Sequence, residues 1–201
     1  GARGTVETIN TRSTRIRRAD GVVYIGRRMA NHAHARYGEP ARWTVIETGA
    51  DVEEFVSPSS ADPTSEDALR AWCRERFVVS YVGNLGVMHD WETLAEGLPL
   101  FVEEAMARGL PIGVVLAASG PHARSLADRL SPLNEDAIRV TGPLDDTAWA
   151  HLLADSDVSL VTLNATARHT CVPSKAFSAA AAGCALVAVT DPDSDLADLK
   201  V

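Results

Sequence analysis

Cysteine is scarce in this chain of 201 residues: Cys73, Cys171 and Cys184 are the three, and no Cys-x-x-Cys or Cys/His spacing joins them. That excludes a disulfide framework and a structural zinc site, and it fits a reducing cytoplasm. Aromatic residues are also few, at 5%. Excess positive charge is missing, because the formal net charge is −8; nucleic acid is therefore not expected as a partner, since a phosphate backbone needs a basic surface. No apolar run approaches the roughly eighteen residues of a membrane span. The opening Gly1-Ala-Arg-Gly holds neither an initiating Met nor a secretory leader, so the start reads as that of an excised or processed piece. One local exception to the acidic balance is the cluster Arg12, Arg15, Arg17 and Arg18. It reads as the solvated face of a helix, with contact to anionic headgroups as the alternative.

What is present is 46% hydrophobic residues, enough for a sizeable core. From Phe77 onward, short β-branched apolar runs alternate with longer amphipathic segments, which is the pattern of βαβ units. Strands are expected over 77–82, 112–117, 138–140, 158–163 and 185–189. The first of the intervening helices carries an apolar stripe of Trp91, Leu94, Leu98, Phe101 and Val102 and closes at Gly109. The second carries Leu126 and Leu130. Asp145 and Asp146 are placed to cap a third, bearing Trp149, Leu152 and Leu153. Several strands are apolar on both faces, as a covered parallel sheet requires. The fold class that follows is α/β, with a doubly wound, Rossmann-like sheet. Its ligand crevice would lie beyond the carboxyl ends of the strands, where loops 83–86, 119–121, 141–144 and 168–175 emerge.

The first 57 residues stand outside this alternation and read as the tail of an earlier α/β domain, with strands over 21–25 and 43–46 and a helix over 27–37. Residues 57–65, rich in Ser and Pro, read as a linker before a helix over 66–76. Residues 195–199 begin a helix that stops at Val201, so the second domain, 66–201, reads as incomplete at its C-terminus.

The segment Thr170-Cys-Val-Pro-Ser-Lys-Ala-Phe-Ser-Ala-Ala-Ala-Ala-Gly183 couples a loop to a helix of small residues and then to an apolar strand. Pro173 is expected to open the helix, leaving Ser174 and Lys175 to present N–H groups, a hydroxyl and an ammonium to one anion. The plainer alternative makes Pro173 a helix starter and Lys175 a solvated cation.

Five stretches, in order, resemble the group 1 (family 4) retaining glycosyltransferases, enzymes with two facing Rossmann-like domains (GT-B). They are Ala19-Asp-Gly-Val-Val-Tyr-Ile25, Val45-Ile-Glu-Thr-Gly-Ala-Asp-Val-Glu-Glu-Phe55, Val82-Gly-Asn-Leu-Gly86, Ala118-Ser-Gly-Pro121, and Val172-Pro-Ser-Lys175 with Ala181-Ala-Gly183. The resemblance implies a nucleotide-diphosphate-sugar donor on this half of the enzyme and an acceptor held on the other, without a metal cofactor. It implies polysaccharide, lipid-linked sugar or small-glycoside synthesis, in the cytoplasm or at the inner face of the membrane, with membrane contact through the first domain. The implied diphosphate ligands are Gly83, Asn84, Leu85, Gly86 and His89, with Gly120 at the next strand exit and Val172, Pro173, Ser174 and Lys175 at the helix start. The base would sit against Gly142, Pro143 and Leu144.

Two glutamates that many members carry, for the sugar and the ribose, fall here on Thr170 and Ser178. The basic pair after the first strand falls on Asn84 and His89. Lys175, Arg168 and His169 are available to compensate, with plain surface residues as the alternative, while Asp145 and Asp146 read as caps and His32 and His34, on a helix near the end of the first domain, are not taken as catalytic. The acceptor-side catalytic residues fall outside the chain. These departures leave open a non-catalytic nucleotide- or sugar-binding relic of the fold, and also a nucleotide-sugar epimerase.

Overall fold

The computed structural model of the chain describes residues 6–9, 14–16, 20–56, 66–133 and 136–199. These fall into two compact units, divided between Thr48 and Gly49. In the smaller unit, β1 (Val6–Ile9) and β2 (Thr14–Ile16) pair antiparallel. Arg15 is therefore in a strand and not on the expected helix face, while Arg12, Arg17 and Arg18 lie outside the described residues. Then β3 (Val22–Tyr24), α1 (Arg27–Tyr37) and β4 (Trp43–Val45) form a parallel β-α-β unit, as the pattern predicts. Gly38, at φ 85°, ends α1 in a conformation that other residues rarely adopt. His34 packs edge-on against Tyr24 and Trp43, with ring centroids 5.3 and 4.6 Å away.

The larger unit starts with a single turn, α2 (Glu53–Val56), whose first N–H is taken by the Asp51 carboxylate at 3.0 Å. Phe55 anchors that turn, buried against Trp149 at 5.2 Å. The linker expected over 57–65 lies outside the described residues. After α3 (Glu66–Arg74) come β5 (Phe77–Asn84), α4 (Trp91–Ala107), β6 (Ile112–Ser119), α5 (Ala123–Leu130), β7 (Ile138–Thr141), α6 (Asp146–Ala154), β8 (Val158–Thr162), α7 (Ser174–Ala181) and β9 (Ala185–Val189). The five strands β5 to β9 make one parallel sheet in the order β7-β6-β5-β8-β9. The chain winds outward from β5 to β7, crosses back through α6, and winds the other way through β8 and β9. The crossover places a topological switch point between β5 and β8.

Strand alternation divides the core into two layers. Val79 and Tyr81 of β5 and Val114, Leu116 and Ala118 of β6 face α4 and α5, where Leu94, Leu98, Leu126 and Leu130 cover them. Val78, Val82, Val115 and Ala117 point the other way, toward Phe55, Cys73, Leu152, Leu153 and Ala179. Gly113 is required there: a Cβ would stand 2.5 Å from the Trp72 ring, against which the Arg76 and Arg139 guanidinium groups lie 4.5 and 4.9 Å from the centroid.

Three expectations change. The β9 strand is an edge and not a buried strand, with Val187 46% exposed, because among the described residues it pairs only with β8. Residues 195–198 form a turn pinned by the Ser194 hydroxyl to the Ala197 N–H at 3.2 Å, and no helix. Phe101, expected on the buried stripe of α4, is 38% exposed. As expected, α4 runs unbroken across Pro99, which brings no N–H to the helix and sits beside the exposed Leu100.

Candidate active site at the sheet switch point

The β5–β8 ladder has two register pairs, Val79 with Val158 and Ser80 with Ser159, whereas β5 and β6 are paired over eight. Beyond Ser80 the two strands part, and side chains fill the gap. The Lys175 ammonium, from the second residue of α7, donates to the Tyr81 hydroxyl at 2.7 Å and to the Asn84 carbonyl at 2.9 Å. It also lies 4.3 Å from the centroid of the Tyr81 ring. Tyr81 itself donates to the Asn84 carbonyl at 3.1 Å, which closes a triangle at the end of β5. Burial is the main reason that the Lys175 pKa falls to about 8, and burial also raises that of Tyr81. Two of the three ammonium protons are engaged among the described residues.

The glycine loop is shaped for close approach. Gly83 has φ 109°, and a Cβ there would meet Lys175 Cε at 3.9 Å. Gly120, at φ 97°, sits so close to the Asn84 side chain and the Leu85 carbonyl that a Cβ would stand 2.1 Å from Asn84 Oδ1. Asn84 also lies against Gly86. Leu85 is fully buried, its N–H donating to Ser119 at 2.7 Å and its carbonyl accepting from His122 at 3.2 Å. Its N–H is thus spent on the scaffold and is not available to a diphosphate. After a turn closed by the His89 N–H on the Gly86 carbonyl, His89 Nδ1 reaches the Thr162 carbonyl at the end of β8, 2.7 Å away. Its ring meets Tyr81 edge-on at 6.4 Å. Burial, and then the neighbouring Lys175, lower the pKa of His89.

Pro173 occupies the N-cap of α7, with ψ 120°, instead of the first helical position. Pro173 and Val172 are buried and Ser174 is exposed, so the free N–H groups of the first turn begin at Ser174. Thr170 is exposed, its hydroxyl on the Ala167 carbonyl at 3.4 Å, and Ser178 is half-buried on α7. Arg168 turns to Asp191 at 3.4 Å and His169 to Asp193 at 3.4 Å, so both are tied to the segment after β9. Asp191 and Asp193 have the Asp-x-Asp spacing of some metal sites, passed over in the sequence, yet among the described residues no three metal-binding side chains converge.

Gly142 and Pro143 are exposed beyond β7, while Leu144 packs partly into the layer beneath α6. They sit two strands from β5, about 10 Å away. Asp145 caps α6 by accepting from the Ala148 N–H at 2.9 Å, as its position predicts. The structure thus brings together Gly83, Asn84, Gly86, His89, Gly120 and Lys175, and leaves Thr170, Ser178 and residues 142–144 at the margins. Tyr81 and Thr162, which hold the centre, were not singled out in the sequence. Their signal is weak, because a Tyr and a Thr in apolar strands look like ordinary core.

No protein-family model matches the chain, and no curated protein is similar to it in sequence. Solved structures do match its fold. A UDP-forming α,α-trehalose-phosphate synthase from Burkholderia vietnamiensis aligns with a TM-score of 0.64 at 14% identity, over 89% of this chain and 46% of that one. HepE of Anabaena, solved in complex with UDP and glucose, aligns at 0.59 and 18%, over 85% and 44%. A glycosyltransferase from Rickettsia africae aligns at 0.57 and 14%, over 84% and 44%. These neighbours are GT-B glycosyltransferases, and the five-stranded unit has the fold of their C-terminal Rossmann-like half. The chain spans less than half the length of each of the three.

Proposed function

We propose that this chain is the donor-binding part of a retaining glycosyltransferase, which holds a nucleotide-diphosphate-sugar for transfer to an acceptor carried mainly by the facing domain. The observation that supports it best is the convergence at the switch point of a positive-φ glycine, a lysine ammonium and a helix start, on a sheet of this fold. In such a reaction the diphosphate gains charge as the glycosidic bond breaks, and N–H groups and cations fixed around it lower the barrier. Gly83 and Gly86 allow backbone to approach the phosphates; the first turn of α7 offers N–H donors, and Lys175 has a proton to spare. The base lies two strands away, over Gly142 and Pro143. Residues 1–57 are, in this reading, the end of the acceptor-side domain followed from Gly49 by the interdomain segment, and the setting is cytoplasmic, at the inner face of the membrane. No metal takes part.

A second reading is favoured by Thr170 and Ser178, neutral where the resemblance implies carboxylates: a binder of nucleotide sugars that no longer transfers them. Both readings require nucleotide binding. UDP, GDP and ADP titrated by calorimetry and thermal melting are the test. The matching nucleotide at one hundred times its Kd is expected to stabilise the fold by about 2.7 kcal/mol. Absence of any binding defeats both, whereas binding with no sugar release from an acceptor-supplied full-length enzyme selects the second. Sugar rearrangement without any acceptor points instead to an epimerase.

A further inference from the structure

Thr162 places a carbonyl oxygen 2.7 Å from His89 Nδ1, and a carbonyl can only accept. Nδ1 therefore carries the hydrogen, and in the neutral ring Nε2 is left with a lone pair. Among the described residues His89 makes no other side-chain hydrogen bond. The groups around it are the Tyr81 ring on β5, Lys175 on α7, His122 at the start of α5, and its chain neighbour Asp90, whose carboxylate is taken up by the Thr93 N–H and hydroxyl. Burial, Lys175 and His122 all disfavour a second positive charge, against only the Thr162 carbonyl, which favours it. A lone pair repels phosphate oxygens and requires a donor.

We propose that His89 is a specificity-determining residue: its Nε2 accepts a hydrogen bond from a hydroxyl of the donor's transferred sugar, and it is not a cationic diphosphate ligand. This rests on the nucleotide-sugar reading above. Within a nucleotide sugar, the groups next to the diphosphate that can donate are sugar hydroxyls, and Lys175 marks the diphosphate side of the crevice. The position of His89 at the seam between β5 and β8 fits such a contact. The tie to Thr162 sets both tautomer and ring orientation, so the acceptor is fixed before the ligand arrives.

Two measurements test it. Long-range ¹⁵N NMR of the chain at pH 7.5 is expected to show His89 neutral with the hydrogen on Nδ1; a ring carrying it on Nε2 overturns the proposal without reference to any ligand. Calorimetry then compares UDP with UDP-glucose on the wild-type chain and on His89→Asn, whose amide keeps the donor to Thr162 and deletes the distal acceptor. The expected loss is about tenfold for UDP-glucose and at least five times smaller for UDP, with His89→Gln recovering part of it. As the pH is lowered below 6.5, the preference for UDP-glucose over UDP is expected to fall in the wild type, at a lower pH than an ordinary histidine would set, and not in His89→Asn. Equal losses for the two ligands, or a preference that grows as pH falls, assign His89 to the diphosphate and overturn the proposal. If the wild type binds neither these two ligands nor GDP or ADP, the nucleotide-sugar reading itself has failed, and this inference with it.

Discussion

Lys175 carries two opposing energies. Its burial costs stability while charged, and its two hydrogen bonds hold α7 against the end of β5. With a folded pKa of about 8 against 10.5 unfolded, the unfolded chain holds the extra proton between those values, so stability rises with pH through that window. Lys175→Met is expected to remove that rise, which urea melts at pH 7, 8.5 and 10 would reveal, and to weaken nucleoside-diphosphate binding by about 1.5–3 kcal/mol. Unchanged affinity would exclude Lys175 from the phosphate site. In the wild type, affinity is expected to drop above pH 8 as the ammonium is lost. Gly120→Ala tests the loop differently: its φ of 97° costs about 1–3 kcal/mol for an alanine, before any contact with Asn84 and Leu85 is counted. A denaturation midpoint close to wild type would mean that the loop relaxes. At this scale the sequence was legible where residue type and chemistry coincide, as at Gly83, Gly120, Lys175 and the Asp145 cap. It was silent on Tyr81 and Thr162, whose roles depend on which strands part and where.

Elements were more legible than their surroundings. The alternation predicts all five strands of the main sheet, since β-branched runs buried on both faces have few other uses. It did not reveal that β9 ends the sheet, because an edge and a centre can share an apolar composition. Helical spacing did carry α4 across Pro99, but it placed Phe101 on the covered face, where the helix instead turns it partly to solvent. One strand entry can be tested. Asp157 accepts the N–H of the fully buried Val78 at 2.7 Å and donates its own N–H to the Val78 carbonyl at 3.0 Å, tying β8 to the start of β5. Asp157→Ala is expected to cost about 1–3 kcal/mol by stranding a buried donor. Equilibrium unfolding measures it directly, and a loss below about 0.5 kcal/mol would show that water replaces the carboxylate.

At the scale of the whole molecule, the sheet is held unevenly. Eight register pairs join β5 to β6 and five join β8 to β9, but two join β5 to β8. The seam is also where the Lys175, Tyr81 and His89 side chains gather. In terms of amide exchange it is the line along which the native state opens with least loss of ladder, which makes β7-β6-β5 and β8-β9 with α7 separate cooperative units. Exchange protection is then expected to divide along this line, higher in β5 and β6 than in β8 and β9. A ligand that touches the β5 loop and α7 together would act as a clasp. Bound nucleotide would slow exchange across β8 and β9 more than in β6, converting occupancy of one small crevice into rigidity of half the sheet.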